Sequence, residues 1–240
     1  MSDPDAPTPL LIDDSAVVWS VDASELSERL AVEPLVVVMH GRGSHENDLA
    51  GLFPSLPEGV VYASLRAPLP GAPFGMGGWT WFPPGEPSNP TPSTATAAAS
   101  AVLGWLDRIE AEFGAPPAVA VMGFSQGGVM SIQLMRLAPH RFAAAVNLSG
   151  FSASGEEPGD AVLAELRPPL FWGRDTEDPV IALSGVERTE AFVAGHFDTS
   201  AHLYAGVGHS ISLEELGDVS AFLRRVLPLE AADQVPSSVE

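Results

Sequence analysis

The run Leu35-Val-Val-Val-Met39 is apolar at every position and β-branched at its centre. It is too short for a buried helix, and a strand without polar alternation must be covered on both faces. The run therefore belongs in a parallel sheet with helices above and below. Val60–Ser64, Val119–Phe124, Ala144–Leu148, Leu170–Trp172 and Ala201–Tyr204 read the same way, and Val17–Val21 adds an earlier edge strand. Helix-length segments fall between them. Thr94–Phe113 carries Val102, Leu103, Leu106, Ile109 and Phe113 at helical spacing, and Val129–Ala138 stops before Pro139. Ser184–Gly195 and Leu213–Val226 complete the set, the latter with Ser212 as N-cap and Glu215 in capping-box position. Strand and helix in alternation predict an α/β fold: a doubly wound, mostly parallel sheet with helices on both faces and right-handed crossovers.

A chain of 240 residues buries roughly 70–75% of its unfolded surface and needs no staple. One domain over residues 11–229 is expected, with a loose leader at 1–10 and a flexible tail at 230–240. The formal charge is −20, and all 11 basic residues are arginine. That balance repels nucleic acids and anionic membranes. Neither a secretory signal nor a membrane-length apolar run is visible, so a cytoplasmic protein without membrane insertion is expected. Oligomeric state leaves no mark in the sequence. The absence of cysteine removes disulfides, thiolate metal sites and a thiol nucleophile. Residues 66–92 interrupt the rhythm with eight prolines, five glycines and the aromatics Phe74, Trp79, Trp81 and Phe82. So long a loop inside a domain is functional or disordered, and its aromatic content argues for function.

The strand Val119–Phe124 leads into Gly123-Phe-Ser-Gln-Gly127 and then Gly128. This pattern puts Ser125 on a sharp strand-to-helix turn at the carboxyl end of a parallel strand, where open α/β sheets bind ligands. A serine hydroxyl needs a base within hydrogen-bond reach, itself oriented by a carboxylate. In this fold the chain order is serine, acid, histidine. His140, His196, His202 and His209 follow the serine, and only His209 lies in a small-residue loop between the last strand and the final helix. The acid belongs to the loop after Leu170–Trp172, which offers Asp175, Glu177 and Asp178. Asp178, before Pro179-Val-Ile181, fits the pattern. Asp175 is the alternative, and physical argument alone does not separate them. The Gln126 amide at the helix start and the Arg42 amide in His40-Gly41-Arg42-Gly43 are the candidate oxyanion donors. His40, His45 and Asp48 lack a clear metal-ligand spacing, so no metal and no cofactor are expected; Asn47 and Asp48 read as turn and helix-start residues.

With these residues in place, the chain resembles the carboxylesterase and acyl-protein thioesterase group of α/β-hydrolases. The resemblance spans about residues 33 to 226. It rests on His40-Gly-Arg-Gly43, Gly123-Phe-Ser-Gln-Gly-Gly128, Phe171-Trp-Gly173 with Asp178-Pro-Val-Ile181, and Gly208-His-Ser210. It implies a compact esterase with no large cap domain, acting on a small-molecule carboxylic ester or thioester through Ser125, His209 and Asp178. Trp79 and Trp81, in the long loop beside the site, are expected to line an acyl or alcohol pocket, with packing beneath the loop as the alternative.

Overall fold

The computed structural model describes residues 9–85 and 88–229. The expected tail at 230–240 and all but the last two residues of the expected leader at 1–10 lie outside that range. Nine strands form among the described residues: β1 (Val18–Trp19), β2 (Leu35–Met39), β3 (Val61–Leu65), β4 (Leu69–Pro70), β5 (Trp79–Thr80), β6 (Val119–Phe124), β7 (Ala144–Leu148), β8 (Pro169–Arg174) and β9 (Asp198–Leu203). Seven of them make one sheet in the order β1-β3-β2-β6-β7-β8-β9. Every pair in it is parallel except β1 with β3, where the edge strand runs antiparallel.

The run that predicted this sheet divides between two cores. Leu35, Val37 and Met39 enter one apolar cluster, and Val36 and Val38 enter another on the opposite face. The first face is covered by α1 (Leu26–Leu30), α3 (Pro92–Phe113), α4 (Gln126–Leu137), α5 (Asp160–Leu166) and α6 (Leu183–His196). The second is covered by α2 (Asn47–Ala50), where Leu49 is buried, and by Val219, Phe222 and Leu223 of α7 (Leu213–Val226). Both faces of the central strands are therefore out of water, which is why these strands carry no polar alternation. The predicted helices are found with ends shifted by a few residues, and α1, α2 and α5 are additional. Only α5 and its loops fill the segment between β7 and β8, so among the described residues no cap domain stands over the sheet.

The capping box forms by half. Ser212 Oγ accepts from the Glu215 amide at 3.0 Å. The Glu215 carboxyl is instead buried against Gly173, and its Oε1 has no partner among the described residues. Burial pushes its pKa up to about 7.

The long 66–92 segment contains a short hairpin. β4 and β5 pair as a short antiparallel ladder, and a backbone bridge joins Ser44 to Trp79. Gly43 donates to the Trp79 carbonyl and Trp79 donates to the Ser44 carbonyl, each at 2.8 Å. The hairpin thus docks on the loop that follows β2.

Candidate active site

Strand register brings the functional loops together. Met39 pairs with Gly123, Phe124 with Leu148, and Arg174 with Leu203. The loops after β2, β6, β8 and β9 therefore leave the same edge of the sheet.

Ser125 lies between β6 and α4 with φ 53° and ψ −114°, a conformation unfavourable for any residue with a Cβ. Two backbone bonds hold it there. Its amide donates to the Leu148 carbonyl at 2.8 Å, and its own carbonyl accepts from Val129 at 3.1 Å. The flanking glycines are required by space. A Cβ at Gly123 would strike the Gly127 backbone, and one at Gly127 would strike the carbonyls of Met39 and His40.

His209, on the β9–α7 loop, places Nε2 2.8 Å from Ser125 Oγ and Nδ1 2.7 Å from Asp178 Oδ2. Its ring lies against Phe124, with centroids 4.9 Å apart. A proton on Nδ1 satisfies the carboxylate and leaves Nε2 as the acceptor for the serine hydroxyl. Asp178 is fixed in turn, because Oδ1 accepts from the amides of Val180 at 2.8 Å and Ile181 at 3.1 Å. Asp175 occupies a different position. Its Oδ2 accepts from the Gly208 amide at 2.6 Å and its Oδ1 from Glu177 at 2.9 Å. These backbone amides hold its carboxyl below the usual range. It ties down the loop that carries His209, whereas Asp178 meets the imidazole. Two of the other downstream histidines are engaged elsewhere: His196 bonds the Phe192 carbonyl, and His202 stacks on Phe171.

Around the serine, side chains bind the loops to one another. Gln126 is buried; its Oε1 accepts from Thr80 Oγ1 at 3.0 Å and from the Trp81 amide at 2.9 Å, and its Nε2 donates to the Phe82 carbonyl at 2.9 Å. His40 is buried too. Its Nε2 accepts from the Ala67 amide at 3.1 Å, so Nδ1 carries the proton and donates to the Gly41 carbonyl at 2.7 Å. Burial lowers its pKa, which keeps the ring neutral. With both nitrogens on backbone, His40 is a loop brace. His45 accepts from the Asn47 amide, and Asp48 accepts from Ser44 Oγ. Among the described residues, the Arg42 and Gln126 amides have no acceptor.

A family model described as phospholipase/carboxylesterase matches residues 23–227. The chain belongs to the phospholipase/carboxylesterase family. An acyl-protein thioesterase 1 from Kluyveromyces lactis is 26% identical over 211 residues, covering 81% of this chain and 92% of that protein. One from Debaryomyces hansenii is 36% identical over 112 residues, covering 45% of this chain and 48% of that protein. Among solved structures, esterase PE8 is 28% identical with a TM-score of 0.66, covering 82% of this chain and 94% of that one.

In this phospholipase/carboxylesterase chain a cavity of about 220 Å³ opens beside Ser125. Arg42 and Gln126 line it with the serine, and Phe82, Pro83, Pro84, Phe151, Val180 and Ile181 supply apolar walls. The expectation that Trp79 and Trp81 line the pocket is corrected here. Trp81 is fully buried and donates from Nε1 to the His40 carbonyl at 2.9 Å. Trp79 lies beneath the Arg66 guanidinium, 4.8 Å from its ring centroid. Both brace the hairpin, and neither lines the cavity. Phe151, Val180 and Ile181 escaped sequence reasoning because they come from loops 30 residues apart that only the sheet brings together.

Proposed function

We propose that this protein is a serine esterase that hydrolyses small carboxylic esters, thioesters included, through an acyl-enzyme on Ser125. The observation that carries this reading is the chain of short hydrogen bonds from Asp178 through His209 to Ser125, at 2.7 and 2.8 Å, beside a cavity. Ser125 Oγ adds to the acyl carbon while His209 Nε2 takes its proton. Asp178 holds the imidazole in the required tautomer and stabilises its cation. The carbonyl oxygen becomes an oxyanion facing the Arg42 and Gln126 amides, which donate to it. Collapse expels the alcohol or thiol, which leaves with the proton from His209. Water then repeats the sequence on the acyl-enzyme, with His209 again as base, and releases the acid.

The cavity supports a short acyl group. At about 220 Å³ it lies below the roughly 300–1,000 Å³ of pockets for drug-sized ligands, which favours short acyl chains. With p-nitrophenyl esters, kcat/KM should be greatest for acyl chains of about four to six carbons and fall beyond them. A fluorophosphonate should add one adduct to the wild-type protein and none to Ser125→Ala, as read by intact mass. An adduct that persists in Ser125→Ala would overturn the assignment of the nucleophile.

A further inference from the structure

Acidic residues outnumber arginines 31 to 11 in this chain, and most guanidinium groups have found partners. Arg29, Arg66, Arg108, Arg136 and Arg141 each meet a carboxylate. Arg167 and Arg188 donate to backbone carbonyls. Arg42 is exposed at the cavity beside Ser125, and among the described residues its side chain has neither kind of partner. The described residues lining that cavity include no aspartate or glutamate, in a chain whose net charge is −20. The twelve-residue helix α4 begins at Gln126 on the same cavity and adds the positive end of its dipole. Distant surface charge is screened within about 8 Å at physiological salt, so Arg42 and the α4 terminus act on the cavity locally, with the Asp178 carboxylate set behind His209.

We propose that Arg42 is a specificity-determining residue, and that the natural ester carries an anionic group, a carboxylate or a phosphate, which the guanidinium holds. A planar fork of N–H donors suits either oxyanion. This rests on the esterase reading above and adds the substrate class to it.

Two matched pairs distinguish the sources of charge. Mono-p-nitrophenyl glutarate against p-nitrophenyl valerate places a carboxylate on the acyl side. Butyryl glycerol phosphate against monobutyrin places a phosphate on the alcohol side. For at least one pair, wild-type kcat/KM should favour the charged member by about tenfold or more. Arg42→Gln should bring that ratio close to one, and Arg42→Lys should restore part of it. Taking the ratio within each variant cancels any disturbance of the Arg42 backbone amide. A wild-type ratio of one or less for both pairs, or an unchanged ratio in Arg42→Gln, would overturn the proposal. Calorimetric binding of the same pairs to Ser125→Ala, with and without Arg42→Gln, reads the preference without turnover. Failure of the esterase reading thus remains distinct from failure of this one.

Discussion

Ser125 has a backbone that favours glycine, at φ 53°, and strain of this kind costs on the order of 1–3 kcal/mol. Ser125→Gly should therefore abolish turnover while raising stability by about 1 kcal/mol in urea denaturation. The two aspartates of the β8 loop separate at the same scale. Asp178→Asn replaces the acceptor that fixes the His209 tautomer, and kcat should fall by about four orders of magnitude. Asp175→Asn weakens the tie to Gly208, which should lower the melting temperature with a much smaller loss of kcat. Steady-state kinetics beside thermal denaturation of both variants checks the distinction. Either aspartate could be chosen from the string Asp175-Thr-Glu-Asp178, since a three-residue offset in a loop leaves no local signature.

The β4–β5 hairpin is held to the rest of the protein by polar contacts as well as by the core packing of Trp81 and Phe82 that follow it. Gln126 binds Thr80, Trp81 and Phe82, and the Arg66–Glu46 pair stands beside Trp79. Gln126→Ala would leave the buried Trp81 amide without its acceptor, while Thr80 Oγ1 and the Phe82 carbonyl keep each other, and should destabilise the fold by about 1–3 kcal/mol. Because Phe82 and its following prolines wall the cavity, KM for short esters should rise in the same variant; kinetics and a melting curve test both. The central strands were legible because their apolar pattern is contiguous. The hairpin was not, because its bonds join residues about 45 positions apart, such as Trp81 and Gln126, and two-residue strands have no periodicity.

Across the whole molecule, two buried carboxyls give stability opposite slopes with pH. Arg66 holds Glu46 down to about 2 from 4.5. Its contribution is complete above pH 4.5 and is lost as pH falls toward 2. Burial raises Glu215 from 4.5 to about 7. In that interval the folded state binds more protons than the unfolded one, so stability falls as pH rises through it. Repulsion within a chain of net charge −20 acts in the same direction. Stability should therefore be greatest near pH 4.5–5. Glu215→Gln should flatten the decline between pH 5 and 7, gaining about 1–3 kcal/mol at pH 8. Chemical denaturation across that range measures it.

The α/β class and the place of Ser125 follow from the sequence alone. Strand apolarity and the Gly-x-Ser-x-Gly pattern are rules written in neighbouring residues. Tertiary structure decided that Asp178 rather than Asp175 meets His209, that Trp81 fills the core while Phe151 and Ile181 wall the cavity, and that the Glu215 carboxyl turns inward from its helix. Each of these depends on which loops a parallel sheet gathers at one edge, and that proximity is a property of strand order and register.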